Sequence, residues 1–94
     1  MSAKELVLNI AVNLGRISRF AEEGNQKRVN KFLEETEDYL KELDVAPKNS
    51  QFLKTFQSFK KHFLELKNRE QRDDVWVEDV LTWGNILTHR AKLA

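Results

Sequence analysis

Apolar residues recur at alternating steps of three and four along four stretches of the chain, and short polar breaks separate them. That spacing gives each stretch one apolar stripe when it is wound as a helix, and the stripe is buried. The first helix is predicted over 3–23. Ser2 and Glu5 read as a capping box at its start. Ala3, Val7, Ile10, Leu14, Ile17 and Ala21 form its stripe, with Leu6 and Phe20 beside it. Gly24 ends it, since glycine takes the left-handed conformation that closes a helix, and Asn25 caps the next one.

The second helix is predicted over 26–43 with the stripe Val29, Leu33, Thr36, Leu40 and Leu43, and Ala46-Pro47 breaks it. The third, over 50–68, carries four of the six phenylalanines: Phe52, Phe56, Phe59 and Phe63, followed by Leu66. The fourth, over 74–92, centres on Trp76, Val80, Trp83, Leu87 and Ala91, with acids at its start and bases at its end. Short breaks between amphipathic helices predict an all-α fold, an antiparallel up-down four-helix bundle with residues 1–94 as one domain.

Energetics decide the third break. It holds no glycine or proline, and the count from Leu66 runs through Glu70 and Asp73 to Val77 without losing register. One long helix would satisfy that register and place two carboxylates in its seam. Burying them unpaired costs more than forming a loop, so a break is expected.

Composition narrows the chemistry. The chain has no cysteine, which removes disulfides and thiolate ligands and suits a reducing compartment. No apolar run reaches the roughly 20 residues a membrane span needs. The apolar stretch 6–14 contains Asn9 and Asn13, follows Glu5, and has no basic cluster before it, unlike a secretion signal. The expected location is cytoplasmic, with no membrane contact. The net charge of +1 creates no global attraction to polyanions.

Catalytic constellations are sparse. Neither His62 nor His89 follows a glutamate by three residues, so the helical di-iron pattern is missing. Ser58 and His62 are helical neighbours without an orienting third group. No glycine-rich phosphate loop occurs. Glu34, Glu35, Glu37 and Asp38 on the second helix, with Glu70 and Asp73 three apart, form a pattern that resembles the acidic helices of MazG-type nucleotide pyrophosphohydrolases. That resemblance implies a magnesium-dependent hydrolase. Glu34, Glu37 and Asp38 fall on the polar side of their helix, however, and Glu70 and Asp73 precede helix 4, the pattern of a solvated acidic surface. No catalytic residue, metal or cofactor is assigned from the sequence.

Two surfaces remain. Leu8, Val12 and Gly15 make a second stripe on the first helix, apart from Val7, Ile10 and Leu14. A helix that is apolar on two sides is buried on two sides, which points to a second subunit or another protein. Ile86 and Leu93, on a minor face of the fourth helix, are grouped with this stripe. The leading expectation is therefore a non-catalytic interaction module that self-associates through helix 1. Arg16, Arg19, Lys27, Arg28 and Lys31 gather at one pole of the bundle, where Lys61, Lys67, Arg69 and Arg72 also fall. That grouping makes RNA or DNA binding the second expectation, and the magnesium hydrolase the third.

Overall fold

The computed structural model describes residues 1–94 and contains four helices: α1 (Ala3–Glu22), α2 (Gln26–Val45), α3 (Ser50–Asn68) and α4 (Asp74–Arg90), followed by a 3₁₀ turn over Ala91–Leu93. There is no strand. Each boundary has a local cause. The Ser2 hydroxyl accepts from the Glu5 amide and the Glu5 carboxylate accepts from the Ser2 amide, both at 3.2 Å, so the capping box is complete. The Ser2 amide, and after it the Ser2 hydroxyl, hold the Glu5 carboxyl below its ordinary pKa.

Gly24 adopts φ +74°, and the amides of Gly24 and Asn25 bond back to the carbonyls of Ala21 and Phe20. This is a Schellman ending. The Asn25 side chain then accepts from the Arg28 amide at 3.2 Å and opens α2.

The ends of α2 and α3 are closed by side chains from beyond them. The Lys48 ammonium donates to the carbonyls of Leu43, Asp44 and Ala46. The Trp76 indole donates to Leu66 and the Arg72 guanidinium to Lys67. The predicted break between α3 and α4 is present, with Arg69 extended and Asp73 capping the Trp76 amide at 3.1 Å. The sequence reading ends α2 two residues early because Lys48 lets the helix continue to Val45.

The core contains 22 buried apolar residues drawn from all four helices and the terminal turn. Contacts between successive helices run in opposite order along the chain. Asp44, Glu37 and Asn30 of α2 meet Lys60, Lys67 and Arg72 in turn. Thr55, His62 and Arg69 on the α3 side meet Arg90, Trp83 and Asp79 of α4. The backbone of α1 lies close to both α2 and α4, while the backbone of α3 stands farther off and its buried phenylalanine rings fill the space between. A β-carbon built on Gly84 would lie 3.5 Å from Leu14 Cβ, so α4 and α1 are nearly in backbone contact there. No helix is long and apolar enough to cross a membrane.

Candidate functional site

The outer face of α1 is the first candidate. Its position between α2 and α4 explains much of its unusual apolar content. Leu6, Ala11 and Phe20, outside a single narrow stripe, are buried against these two neighbours. What remains on the surface is Leu8, 39% exposed, Val12, 53% exposed, and Gly15. They form one continuous outward ridge, since steps of four and three advance nearly a full helical turn. A β-carbon on Gly15 would meet nothing within 4 Å, so the space above this turn is open. Ser18 beneath it is buried, and its hydroxyl donates to the Gly15 carbonyl at 2.8 Å.

The other two residues grouped with this ridge are elsewhere. Ile86 lines a cleft on the α3 side of α4 with Thr55, Ser58 and Trp83. Leu93 sits in the terminal 3₁₀ turn, half-buried against the core. The residue of α4 that flanks the ridge is Leu81, 41% exposed. It lies one turn before Gly84, the point where α4 touches Ala11 and Leu14. Five positions at about 100° each turn Ile86 roughly 140° away from Leu81, which explains the misplacement. Val77, Leu81 and Gly84 already show the four-three spacing that would have identified it.

The basic pole divides into two groups. Lys67 pairs with Glu37, Arg69 with Asp79 at 3.7 Å, and Arg72 donates to Gln26 and Asn30. These cations tie α3 and its exit to α2 and α4. The Lys67 contact holds the Glu37 carboxyl below its ordinary pKa, and burial lowers that of Arg72. The other group behaves differently. Arg16, Arg19, Lys27, Arg28 and Lys31 form none of the chain's four ion pairs.

An aromatic pair underlies four of those five. The rings of Phe20 and Phe32 stack across α1 and α2 with centroids 5.7 Å apart and planes 6° from parallel. Arg19 and Arg28 lie 4.9 and 5.3 Å from the Phe20 centroid, and Arg16 and Lys31 lie 5.5 and 5.9 Å from that of Phe32. Each such contact is worth about 0.5–1 kcal/mol at an exposed site, which offsets part of the mutual repulsion. Arg16 also donates to the Asn13 side chain at 3.2 Å. The sequence reading located these cations without detecting the stacked rings that carry them.

The acidic residues do not converge. Glu34 and Asp38 face solvent, Glu37 is engaged by Lys67 and Lys41, and the Asp73 side chain caps α4. No three His, Asp or Glu side chains come together in a metal-holding arrangement. His62 Nδ1 lies 2.9 Å from the backbone carbonyl of Ser58, not bonded to its hydroxyl. That contact gives the serine no general base.

The spacing of α4 puts Trp83 on the inward face, but the structure leaves it at the surface. Trp83 is only half-buried, with its ring 5.1 Å from His62 and 5.5 Å from Phe59. It separates two open clefts between α3 and α4. One, of about 480 Å³, is lined by His62, Glu65, Leu66, Arg69 and Asp79 as well as the indole. The other, of about 330 Å³, holds Ile86 and Arg90. Both have mainly polar walls and open to water, unlike the enclosed apolar sites that bury small ligands.

The chain matches no protein family model, no curated protein and no solved structure.

Proposed function

We propose that the chain is a non-catalytic, cytoplasmic helical interaction module that self-associates through the outer face of α1. The observation that carries the reading is the ridge of Leu8, Val12 and Gly15, extended by Leu81, on a helix whose other apolar residues are buried, or half-buried in the case of Ala21. Covering it gains about 25 cal/mol per Å² of apolar surface before association costs are subtracted. The absence of cysteine suits a reducing compartment.

Sedimentation equilibrium tests the reading directly. The wild-type chain is expected above the monomer mass of 11.1 kDa. Val12→Asp is expected at the monomer mass with unchanged helical circular dichroism. A wild-type monomer at every concentration would sink the reading.

The clustering of Arg16, Arg19, Lys27, Arg28 and Lys31, none of them in an ion pair, favours a second reading, binding to an RNA or DNA backbone. It predicts retention on heparin that falls steeply with salt and disappears in Arg28→Glu/Lys31→Glu. The dispersed carboxylates lend the magnesium hydrolase no comparable support.

A further inference from the structure

The chain has fifteen acidic residues, yet none falls in 45–64 or in 80–94. Those two segments carry six lysines and arginines and both histidines. They comprise most of α3 and the later part of α4 with the terminal turn. The fold lays them side by side, since Arg90 reaches Thr55 at 2.9 Å and Trp83 lies 5.1 Å from His62. Two of the cations are used internally, Lys48 on α2 carbonyls and Lys60 on Asp44. Lys54, Lys61, Arg90 and Lys92 are exposed and in no ion pair. The cations over the Phe20–Phe32 stack, by contrast, share their pole with exposed Glu22, Glu23, Asp74 and Glu78.

The acid-free end of the α3–α4 groove is the cleft of about 330 Å³. Lys54 and Arg90 line it together with Thr55 and Ser58, and Trp83 and Ile86 supply its apolar wall. Arg90 is held in place there. Its Nη1 donates to the Thr55 hydroxyl, on a residue only 6% exposed, and that bond uses one of several guanidinium N–H donors. Phe59 and His62 hold the Trp83 ring at 5.5 and 5.1 Å, and open space borders it on both sides along the groove. Glu65 and Asp79 line only the cleft beyond the indole, where Arg69 engages Asp79.

We propose that this end of the groove binds single-stranded nucleic acid, with Lys54 and Arg90 on a phosphate and a base stacked on Trp83. Cations that track a backbone, beside an aromatic ring that accepts any base, are how unpaired strands are held without sequence preference. A duplex keeps its bases stacked inside and presents none to an indole set between two helices. The groove is open to water, so it suits a strand passing across it better than a free nucleotide, which needs enclosure. Glu65 and Asp79 border the footprint and confine it to a few nucleotides. The site shares its ligand class with the second reading above but none of its residues, and it does not depend on self-association.

Anisotropy of a fluorescein-labelled single strand of about a dozen nucleotides tests the site. At about 50 mM salt the wild-type chain is expected to bind the strand more tightly than its duplex. Two phosphate contacts on a single strand give log affinity a slope of about −1.4 against log salt. Lys54→Gln/Arg90→Gln removes both charges and keeps a donor beside Thr55. It is expected to bind about tenfold or more weakly and with a shallower slope, while circular dichroism stays unchanged. Binding should quench the fluorescence of Trp83, because Trp76 is fully buried. Trp83→Leu should lose the preference for strand over duplex, and Trp83→Phe should keep it.

Unchanged affinity in folded Lys54→Gln/Arg90→Gln overturns the site. If Arg28→Glu/Lys31→Glu abolishes binding instead, the contact belongs to the cations over the Phe20–Phe32 stack and the second reading stands alone. Duplex bound as tightly as the strand, or binding without quenching, overturns the stacked base. Adenosine monophosphate or polyglutamate bound as tightly as the strand makes the cleft a site for a free nucleotide or an acidic peptide and overturns the proposal. Absence of binding by the wild-type chain overturns it as well.

Discussion

The indole N–H of Trp76 donates to the main-chain carbonyl of Leu66 across 2.9 Å of fully buried space. Leu66 belongs to the last turn of α3, where carbonyls have no amide partner within the helix. Trp76 lies in the first turn of α4. One side chain therefore closes one helix while anchoring the start of the next, and Arg72, 5.4 Å above its ring, donates to the adjacent Lys67 carbonyl. Trp76→Phe keeps most of the apolar volume but leaves the Leu66 carbonyl buried and unpaired. Urea denaturation is expected to show a loss of about 2 kcal/mol, the usual cost of an orphaned buried acceptor plus a small void. A loss below about 0.5 kcal/mol would mean that water replaces the indole.

Acid should loosen the contact between α2 and α3. Glu37 joins them by accepting from Lys67, and that hydrogen bond lowers its pKa. A carboxyl with a depressed folded-state pKa binds its proton less readily folded than unfolded. Its stabilisation is therefore complete above the unfolded value, about 4.3, and is lost as pH falls through the depressed one. The urea midpoint should fall with acidification below that value. Glu37→Gln should lower the midpoint at pH 7 and flatten this part of the profile, most clearly at low ionic strength because the pair is partly exposed. Parallel profiles for the two proteins would show that Glu37 adds nothing.

Periodicity and caps made most of the fold legible. The capping box at Ser2, the Gly24–Asn25 turn and the phenylalanine stripe of α3 act through neighbours in sequence or through a regular repeat, and each is where its spacing puts it. The features missed depend on side chains reaching in from outside the element they shape. Lys48 prolongs α2, and Trp83 becomes a half-exposed divider because α3 stands off from α4. The Phe20–Phe32 stack joins residues twelve apart on two helices. Ile86 failed for another reason: apolar character alone does not tell which flank of α4 faces α1. Gly84 sets that flank by its contact with Leu14.

Gly84 offers a check of that contact. A β-carbon there would meet Leu14 Cβ at 3.5 Å and the Ala11 carbonyl oxygen at 3.7 Å, both ordinary van der Waals distances. Gly84→Ala should therefore fit and stabilise the chain by about 0.5–1 kcal/mol through helix propensity. Gly84→Leu has no room for its branch and should destabilise by about 1–3 kcal/mol as α1 and α4 are forced apart. If both variants lose stability in thermal melts, the two helices approach more closely than this contact indicates.

Gly15 should respond in the opposite sense, because a β-carbon there reaches nothing within 4 Å. Folding of the single chain gives no steric reason for a mid-helix glycine that costs about 1 kcal/mol relative to alanine. In an α1–α1 contact it has one: bare backbone lets the second helix come close. Gly15→Leu should therefore raise the urea midpoint of dilute, monomeric protein and at the same time weaken the dimer. Sedimentation and denaturation of that one variant would move in opposite directions, which a surface unconnected with assembly does not produce. A more stable chain whose dimer constant is unchanged would place Gly15 outside the interface and leave Leu8 and Val12 to define it.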